Sequence, residues 1–254
     1  MTPVLPKSFL DRPIAHRGLH DIKNDRPENS RAAFEAAIER GYGIELDLQL
    51  SKDGHAMVFH DYDMARLTGA HGAIQMRTAE ELCATQLLYG MDETIPRFGD
   101  ILALVDGHVP LLVELKDQDG AMGKNIGALE RSVAECAKSY RGPIAFMSFN
   151  PHSVEALATL LPNHPRGLTT CVMDKIEAPH TPPLERQRLT DISHFEQSQS
   201  SFISHDHNSL DLPRVQELKS QGVPILCWTI KSPQAEEKAR KVADNVTFEG
   251  YLPT

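Results

Sequence analysis

The chain has 254 residues, 41% of them hydrophobic, and a formal net charge of -9 with no run of lysine or arginine. That length buries the core of one large α/β domain, and the acidic balance argues against a nucleic-acid binder, whose footprint is a concentrated basic surface. Cys83, Cys136, Cys171 and Cys227 are widely spaced, form no CxxC pair and read as reduced thiols.

In chain order, the N-terminal MTPVLPKSFLDRP lacks the apolar run of a secretory signal. No later stretch approaches the ~20 apolar residues of a membrane span, so a soluble, unexported, cytoplasmic protein without membrane insertion is expected. Short apolar runs predict eight strands: Pro13–Ala15, Gly43–Leu48, Pro110–Leu115, Pro143–Phe149, Gly167–Cys171, Phe202–His205, Pro224–Thr229 and Asn245–Glu249. Helical periodicity falls between most of them, at Ser30–Arg40, Ala128–Ser139, Pro151–Leu160, Leu212–Gln221 and Pro233–Ala243. Asn29 or Ser30 caps the first helix, and Gly41 and Gly222 stop the first and the fourth. Eight strands alternating with helices, and no dinucleotide glycine fingerprint, favour a (β/α)8 TIM barrel over a doubly wound sheet. Val172–Ser200, rich in Pro, His and Gln, defines no clear helix.

One stretch breaks the alternation. Only Gln49 to His55 separates Leu48 from Ala56, too little for a parallel crossover of about a dozen residues. Asp53-Gly54 predicts a two-residue hairpin turn instead. Pairing Lys52 with His55 sets Gln49 opposite Val58 and Asp47 opposite His60, where opposed side chains share a face. Residues 51–107 then form an insertion after the second strand, including the hairpin that carries His60, with helix-like pieces at Thr78–Leu88 and Phe98–Val105.

Polar chemistry is concentrated at the ends of strand-like runs. Glu45 and Asp47 are two apart on one strand, so both face the same side, with Ile44, Leu46 and Leu48 on the other. Glu114 ends its own strand, and three carboxylates suit a hard cation such as Mg2+ or Ca2+. His16 and His60 follow the apolar runs Ile14-Ala15 and Met57-Val58-Phe59; a pair of imidazoles can take and return a proton near neutral pH. Arg17 and Lys116 add cationic donors able to grip a phosphate. Taken singly, each of these groups is more often an ordinary ion pair, core histidine or surface cation than a functional residue, and their conjunction is what points to chemistry.

The runs His16-Arg17-Gly18, Pro27-Glu28-Asn29-Ser30 with Ala33-Phe34, Glu45-Leu46-Asp47, Lys52-Asp53-Gly54, His60-Asp61, Glu114-Leu115-Lys116 and Trp228-Thr229-Ile230 resemble the glycerophosphodiester phosphodiesterase family. The resemblance spans Pro13 to near Gly250 and implies a TIM-type barrel with a small insertion after the second strand. It also implies metal ligation by Glu45, Asp47 and Glu114, an acid-base pair of His16 and His60, and phosphate contacts from Arg17 and Lys116. Leu19–Arg26 is longer than the family's usual connection, Ser30 replaces a common Thr, Lys231 a frequent Asn, and Val246–Gly250 a more usual Asp-containing ending. The implied activity is metal-dependent hydrolysis of a small glycerophosphodiester to sn-glycerol 3-phosphate and an alcohol. Alternatives are a lysophospholipase D-type enzyme, which needs an apolar surface such as Met64, Leu67, Ile74, Met76, Leu87, Leu88, Tyr89 and Met91 of the insertion, and a catalytically silent phosphate-ligand-binding protein. The leaving head group, the cation and the oligomeric state are not readable from the sequence.

Overall fold

The computed structural model describes residues 2–253. In chain order the strands are β1 (Ile14–Ala15), β2 (Gly43–Leu50), β3 (Ala56–Val58), β4 (Leu111–Leu115), β5 (Ile144–Ser148), β6 (Arg166–Thr170), β7 (Phe202–Asp206), β8 (Ile225–Ile230) and β9 (Asn245–Phe248). All but β3 are parallel and close a barrel in the order β1-β9-β8-β7-β6-β5-β4-β2, with β1 pairing β2 to complete the ring. This is a TIM barrel. The short β1 covers only the lower part of β2, pairing Ile14 with Gly43 and Ala15 with Ile44. Antiparallel β3 takes the upper edge of β2.

The helices are α1 (Ser8–Asp11), α2 (Arg31–Arg40), α3 (Ala65–Thr68), α4 (Ala79–Cys83), α5 (Phe98–Val105), α6 (Ala128–Ala137), α7 (Pro151–Leu160), α8 (Pro183–Thr190), α9 (Pro213–Ser220) and α10 (Pro233–Ala239). Local chemistry sets several starts. The Ser30 hydroxyl accepts from the Ala33 amide ahead of α2, Thr78 and Glu81 form a capping box on α4, and Asn150 and Ser232 cap α7 and α10 just before a proline. Gly41 ends α2 at φ 69°. Among the described residues, no helix is long and apolar enough to cross a membrane.

Ile44, Leu46 and Leu48 on the outer face of β2 are fully buried with Phe34 and Ala37 of α2 and Phe98 and Ile101 of α5. Each such side chain contributes about 1.5–3 kcal/mol of burial. The interior is filled at its lower end by Ile14, Leu112, Ala145, Phe202 and Leu226, together with Leu5 and with Phe9 of α1. Asn245 donates to the carbonyls of Phe9 at 2.7 Å and Arg12 at 2.6 Å, tying this plug to the barrel.

Three expectations need correction. The hairpin is one residue out of the expected register: Leu48 pairs with Val58, Gln49 with Met57 and Leu50 with Ala56. Asp47 therefore lies beside Phe59, whose amide donates to the Asp47 carbonyl at 3.0 Å, and His60 lies beyond the end of β3 rather than opposite Asp47. The cause is a three-residue loop: the Ser51 amide donates to the His55 carbonyl at 2.9 Å, and Gly54 takes the left-handed position at φ 86°. Asp53 holds it, accepting from the Ser51 hydroxyl at 2.7 Å and the Ala79 amide at 2.8 Å. Second, the Thr78–Leu88 helix shortens to α4, because the Leu87 amide turns to donate to the Glu93 carbonyl at 2.8 Å. Third, Val172–Ser200 does hold a helix, α8; its only buried residue is Leu189, so it lacks the apolar stripe that would have announced it.

Between β2 and β4, Met57, Phe59, Met64, Leu67, Ile74, Leu82, Leu87 and Ile95 form a core separate from that of the barrel. Met76, Leu88, Tyr89 and Met91 stay outside it and are exposed.

Candidate active site

At the carboxyl end of the barrel, alternation along β2 turns Glu45 and Asp47 inward, and Glu114 reaches them from β4, where Asp47 pairs in register with Glu114. All three are at most 5% exposed, and one oxygen from each lies within 4.8 Å of the others. Burial, then the charges of Asp47 and Glu114, hold the Glu45 carboxyl well above its ordinary value. Burial pushes Asp47 the same way, but Lys116, His60 and Arg17 outweigh it and hold this carboxyl below its ordinary range. Lys116 Nζ sits 2.7 Å from Asp47 Oδ1 and 2.5 Å from Glu114 Oε1. Desolvation alone would lower its pKa; the two carboxylates raise it instead. A cluster in which a buried ammonium already bridges two acids while a third resists ionisation is one that a divalent cation fits.

Arg17 and Asn29 frame the cluster from the loops after β1 and before α2. Both take left-handed backbone, at φ 55° and 56°. The Arg17 amide donates to Glu45 Oε2 at 2.9 Å, its guanidinium reaches Glu28 at 2.6 Å and lies 3.2 Å from Asp47, and Asn29 Nδ2 donates to Asp47 Oδ2 at 2.9 Å. Gly18 follows at φ 78°, where a Cβ would stand 2.9 Å from the Phe34 ring and 3.0 Å from the Ala33 carbonyl carbon. Only glycine lets this loop press onto α2.

The two histidines are held by the same device. His16 Nδ1 lies 2.6 Å from Glu249 Oε2, and His60 Nδ1 lies 2.7 Å from Asp61 Oδ1. With Nδ1 engaged, Nε2 is the ring nitrogen left for the cavity; that of His16 lies 4.0 Å from Glu45 Oε2. Burial lowers the His16 pKa, and the hydrogen bond to Glu249 works against that. Glu249 also receives Lys231 Nζ at 2.7 Å; the hydrogen bond from His16, then His20 at 3.5 Å, keeps its carboxyl well below the ordinary range. Asp61 is clasped by Arg66, which also bonds Glu28 at 2.8 and 2.9 Å, so Arg17, Glu28, Arg66 and Asp61 form one charged chain from the metal-type cluster to His60.

All seven sequence-nominated residues, His16, Arg17, Glu45, Asp47, His60, Glu114 and Lys116, line one cavity of about 100 Å³. The remaining wall combines Met147, Phe149 and Trp228 with hydroxyl-bearing Thr169, Ser204, Thr229 and Thr247. Phe149 and Trp228 meet edge to face with ring centroids 5.6 Å apart. Lys116, nominated for phosphate, is engaged with Asp47 and Glu114 here. Sequence reasoning missed Glu249, assigned no role to Asp61 or Glu28, and considered Asn29 only as a helix cap, a place that Ser30 takes. The available signal for Glu249 was its place just past the last barrel strand, where side chains reach the rim.

A profile of the Glycerophosphoryl diester phosphodiesterase family matches residues 16–247. A glycerophosphodiester phosphodiesterase of Caldanaerobacter subterraneus subsp. tengcongensis is 29% identical over 237 residues, covering 90% of this chain and 89% of its own. Another, from Bacillus altitudinis, is 31% identical over 174 residues, covering 65% and 68%. The structure of an Oleispira antarctica phosphodiesterase in complex with the product sn-glycerol-3-phosphate superposes with a TM-score of 0.76 at 26% identity, over 95% of this chain and 94% of that one. With the family's motifs in order around a single cavity, the chain belongs to the glycerophosphoryl diester phosphodiesterase family and is a hydrolase of phosphodiesters.

Proposed function

We propose that the protein hydrolyses small glycerophosphodiesters to sn-glycerol 3-phosphate and an alcohol, with Mg2+ or Ca2+ held by Glu45, Asp47 and Glu114. The observation that carries this reading is the shared cavity: two histidines, each anchored through Nδ1 by a carboxylate, and three buried carboxylates border the same space of about 100 Å³. When bound, the cation supplies Lewis-acid stabilisation of charge on a phosphate oxygen. Arg17 and Lys116 contribute fixed positive charge to bind and orient the phosphate. The carboxylates at Nδ1 of His16 and His60 fix the rings so that Nε2 can accept a proton from the nucleophile on one side and deliver one to the departing alkoxide on the other. The aromatic pair Phe149 and Trp228 gives the cavity an apolar wall. Its size supports a soluble diester over one carrying an acyl chain into the same space.

The test is release of sn-glycerol 3-phosphate from glycerophosphocholine, glycerophosphoethanolamine and glycerophosphoglycerol, with Mg2+ or Ca2+, with chelator, and with a His16→Ala control. Metal-dependent release lost in the variant is the expected result. No release from any substrate by folded, metal-supplied protein would overturn the reading, and full activity in chelator would remove the carboxylate cluster from it.

A further inference from the structure

Three hydroxyls in the cavity have no role in the chemistry above. Thr169, Ser204 and Thr247 stand on β6, β7 and β9 and are 3%, 0% and 1% exposed. None has a hydrogen-bond partner among the described residues. Buried hydroxyls are normally satisfied, because desolvating one without a partner is unfavourable. Neighbouring positions obey that rule: Thr170 Oγ1 lies 2.8 Å from His205 Nδ1, and the Ser148 hydroxyl donates to the Leu115 carbonyl at 2.7 Å. Four buried side-chain hydroxyls lack a partner among the described residues, and three of them line this one cavity.

Their placement complements the charged side. In the ring order, β6 and β7 lie across the barrel from β2 and β1, and β9 borders β1. Thr169 and Ser204 therefore face Glu45, Asp47 and His16 across the cavity, and Thr247 stands on the strand beside His16, all above the apolar layer of Leu112, Phe202 and Leu226. Each can donate one hydrogen bond and accept two, the pattern that matches an alcohol rather than a charge. The cavity of about 100 Å³ compares with roughly 10–15 Å³ for a single water by the same measure. That leaves room for a three-carbon polyol but not for a long acyl chain.

We propose that Thr169, Ser204 and Thr247 are specificity-determining residues that hydrogen-bond the free hydroxyls of the glycerol moiety, so that the cavity selects a deacylated polyol phosphate. The proposal rests on the activity put forward above. A ligand with carbon in place of hydroxyl leaves the three groups unpaired, and sites built to bond a substrate hydroxyl reject such analogues strongly.

The experiment is calorimetric titration of the protein in Mg2+ with sn-glycerol 3-phosphate and with n-propyl phosphate, which keeps the phosphate and carbon chain but lacks the hydroxyls. The protein is compared with Thr169→Val, Ser204→Ala, Thr247→Val and the triple variant. The native protein is expected to prefer glycerol 3-phosphate at least tenfold, each variant to lose roughly two- to tenfold of that preference, and the triple variant to lose it. Melting temperatures should be equal to or above native, because an unpaired buried hydroxyl gives way to an apolar group of similar shape. Variants that keep the preference, or that melt lower because the hydroxyls are structural, overturn the proposal. Equal native binding of both phosphates overturns it while leaving the phosphate site intact; native binding of neither overturns the underlying activity as well.

Discussion

His16→Ala and His60→Ala are each expected to lower kcat by about 10²-fold or more while leaving the fold intact. The fold survives loss of His16 because Glu249 keeps Lys231 at 2.7 Å as a charge partner. Glu249→Gln is expected to be nearly as damaging. A carboxylate accepts the Nδ1 proton of neutral His16 and leaves Nε2 as an acceptor; an amide can donate to Nδ1 and drive the proton to Nε2, the wrong tautomer for a base. The pH profile separates this from a general loss of structure. Burial holds His16 below its ordinary pKa, and the Glu249 hydrogen bond raises it partway back. In Glu249→Ala that upward pull is gone, so the limb of kcat/KM that reports His16 should move to lower pH. Near-normal turnover in both histidine variants would sink the assignment, and an unmoved limb would remove Glu249 as a positioning residue.

The carboxylate cluster predicts stability changes of opposite sign at two neighbouring positions. Glu45 is unfavourable as an ion, first through burial and then through the charges of Asp47 and Glu114. Glu45→Gln should leave the metal-free melting temperature unchanged or higher. Asp47 instead holds Lys116 at 2.7 Å, Asn29 at 2.9 Å and Arg17 at 3.2 Å. Asp47→Ala strands buried cationic groups and should cost about 3–5 kcal/mol. Added Mg2+ or Ca2+ should stabilise the native protein by about 2.7 kcal/mol at a hundred times Kd. For a domain of this size that corresponds to roughly 5–10 °C. The gain should disappear in Glu45→Gln, read by thermal denaturation with and without metal. A full metal-induced shift in that variant would take Glu45 out of the ligand set.

The barrel and much of the site were readable because both rest on period-two alternation and on strand ends. Glu45 and Asp47 share a face by spacing alone, and Glu114, His16 and Arg17 come to the same rim because their strands end there. What escaped depends on side chains acting on backbone or across long sequence separations. The hairpin register turns on Asp53 tying its loop to Ala79, and α8 buries too little to leave a stripe. Glu249 lies 233 positions from its partner His16, in a segment that read as the last strand and as a departure from the family's usual ending. Asp61 stands beside His60 in the chain, yet its role depends on Arg66 of α3. Thr169, Ser204 and Thr247 looked like ordinary strand residues, since threonine favours a sheet for reasons unrelated to ligands.

The proposed acid-base pair is divided between two hydrophobic cores. His16 stands on the barrel proper, whereas His60 follows Phe59, which belongs to the small core of Met57, Met64, Leu67 and Ile74 between β2 and β4. A core of that size can open as its own cooperative unit at a lower free energy than the whole molecule. Heat tolerance of the reaction and heat tolerance of the barrel are then separate properties: turnover would fade as the smaller unit loosens, ahead of the loss of far-ultraviolet circular dichroism. Substitutions that tighten the packing around Phe59 would extend the working temperature without touching any group that meets the substrate.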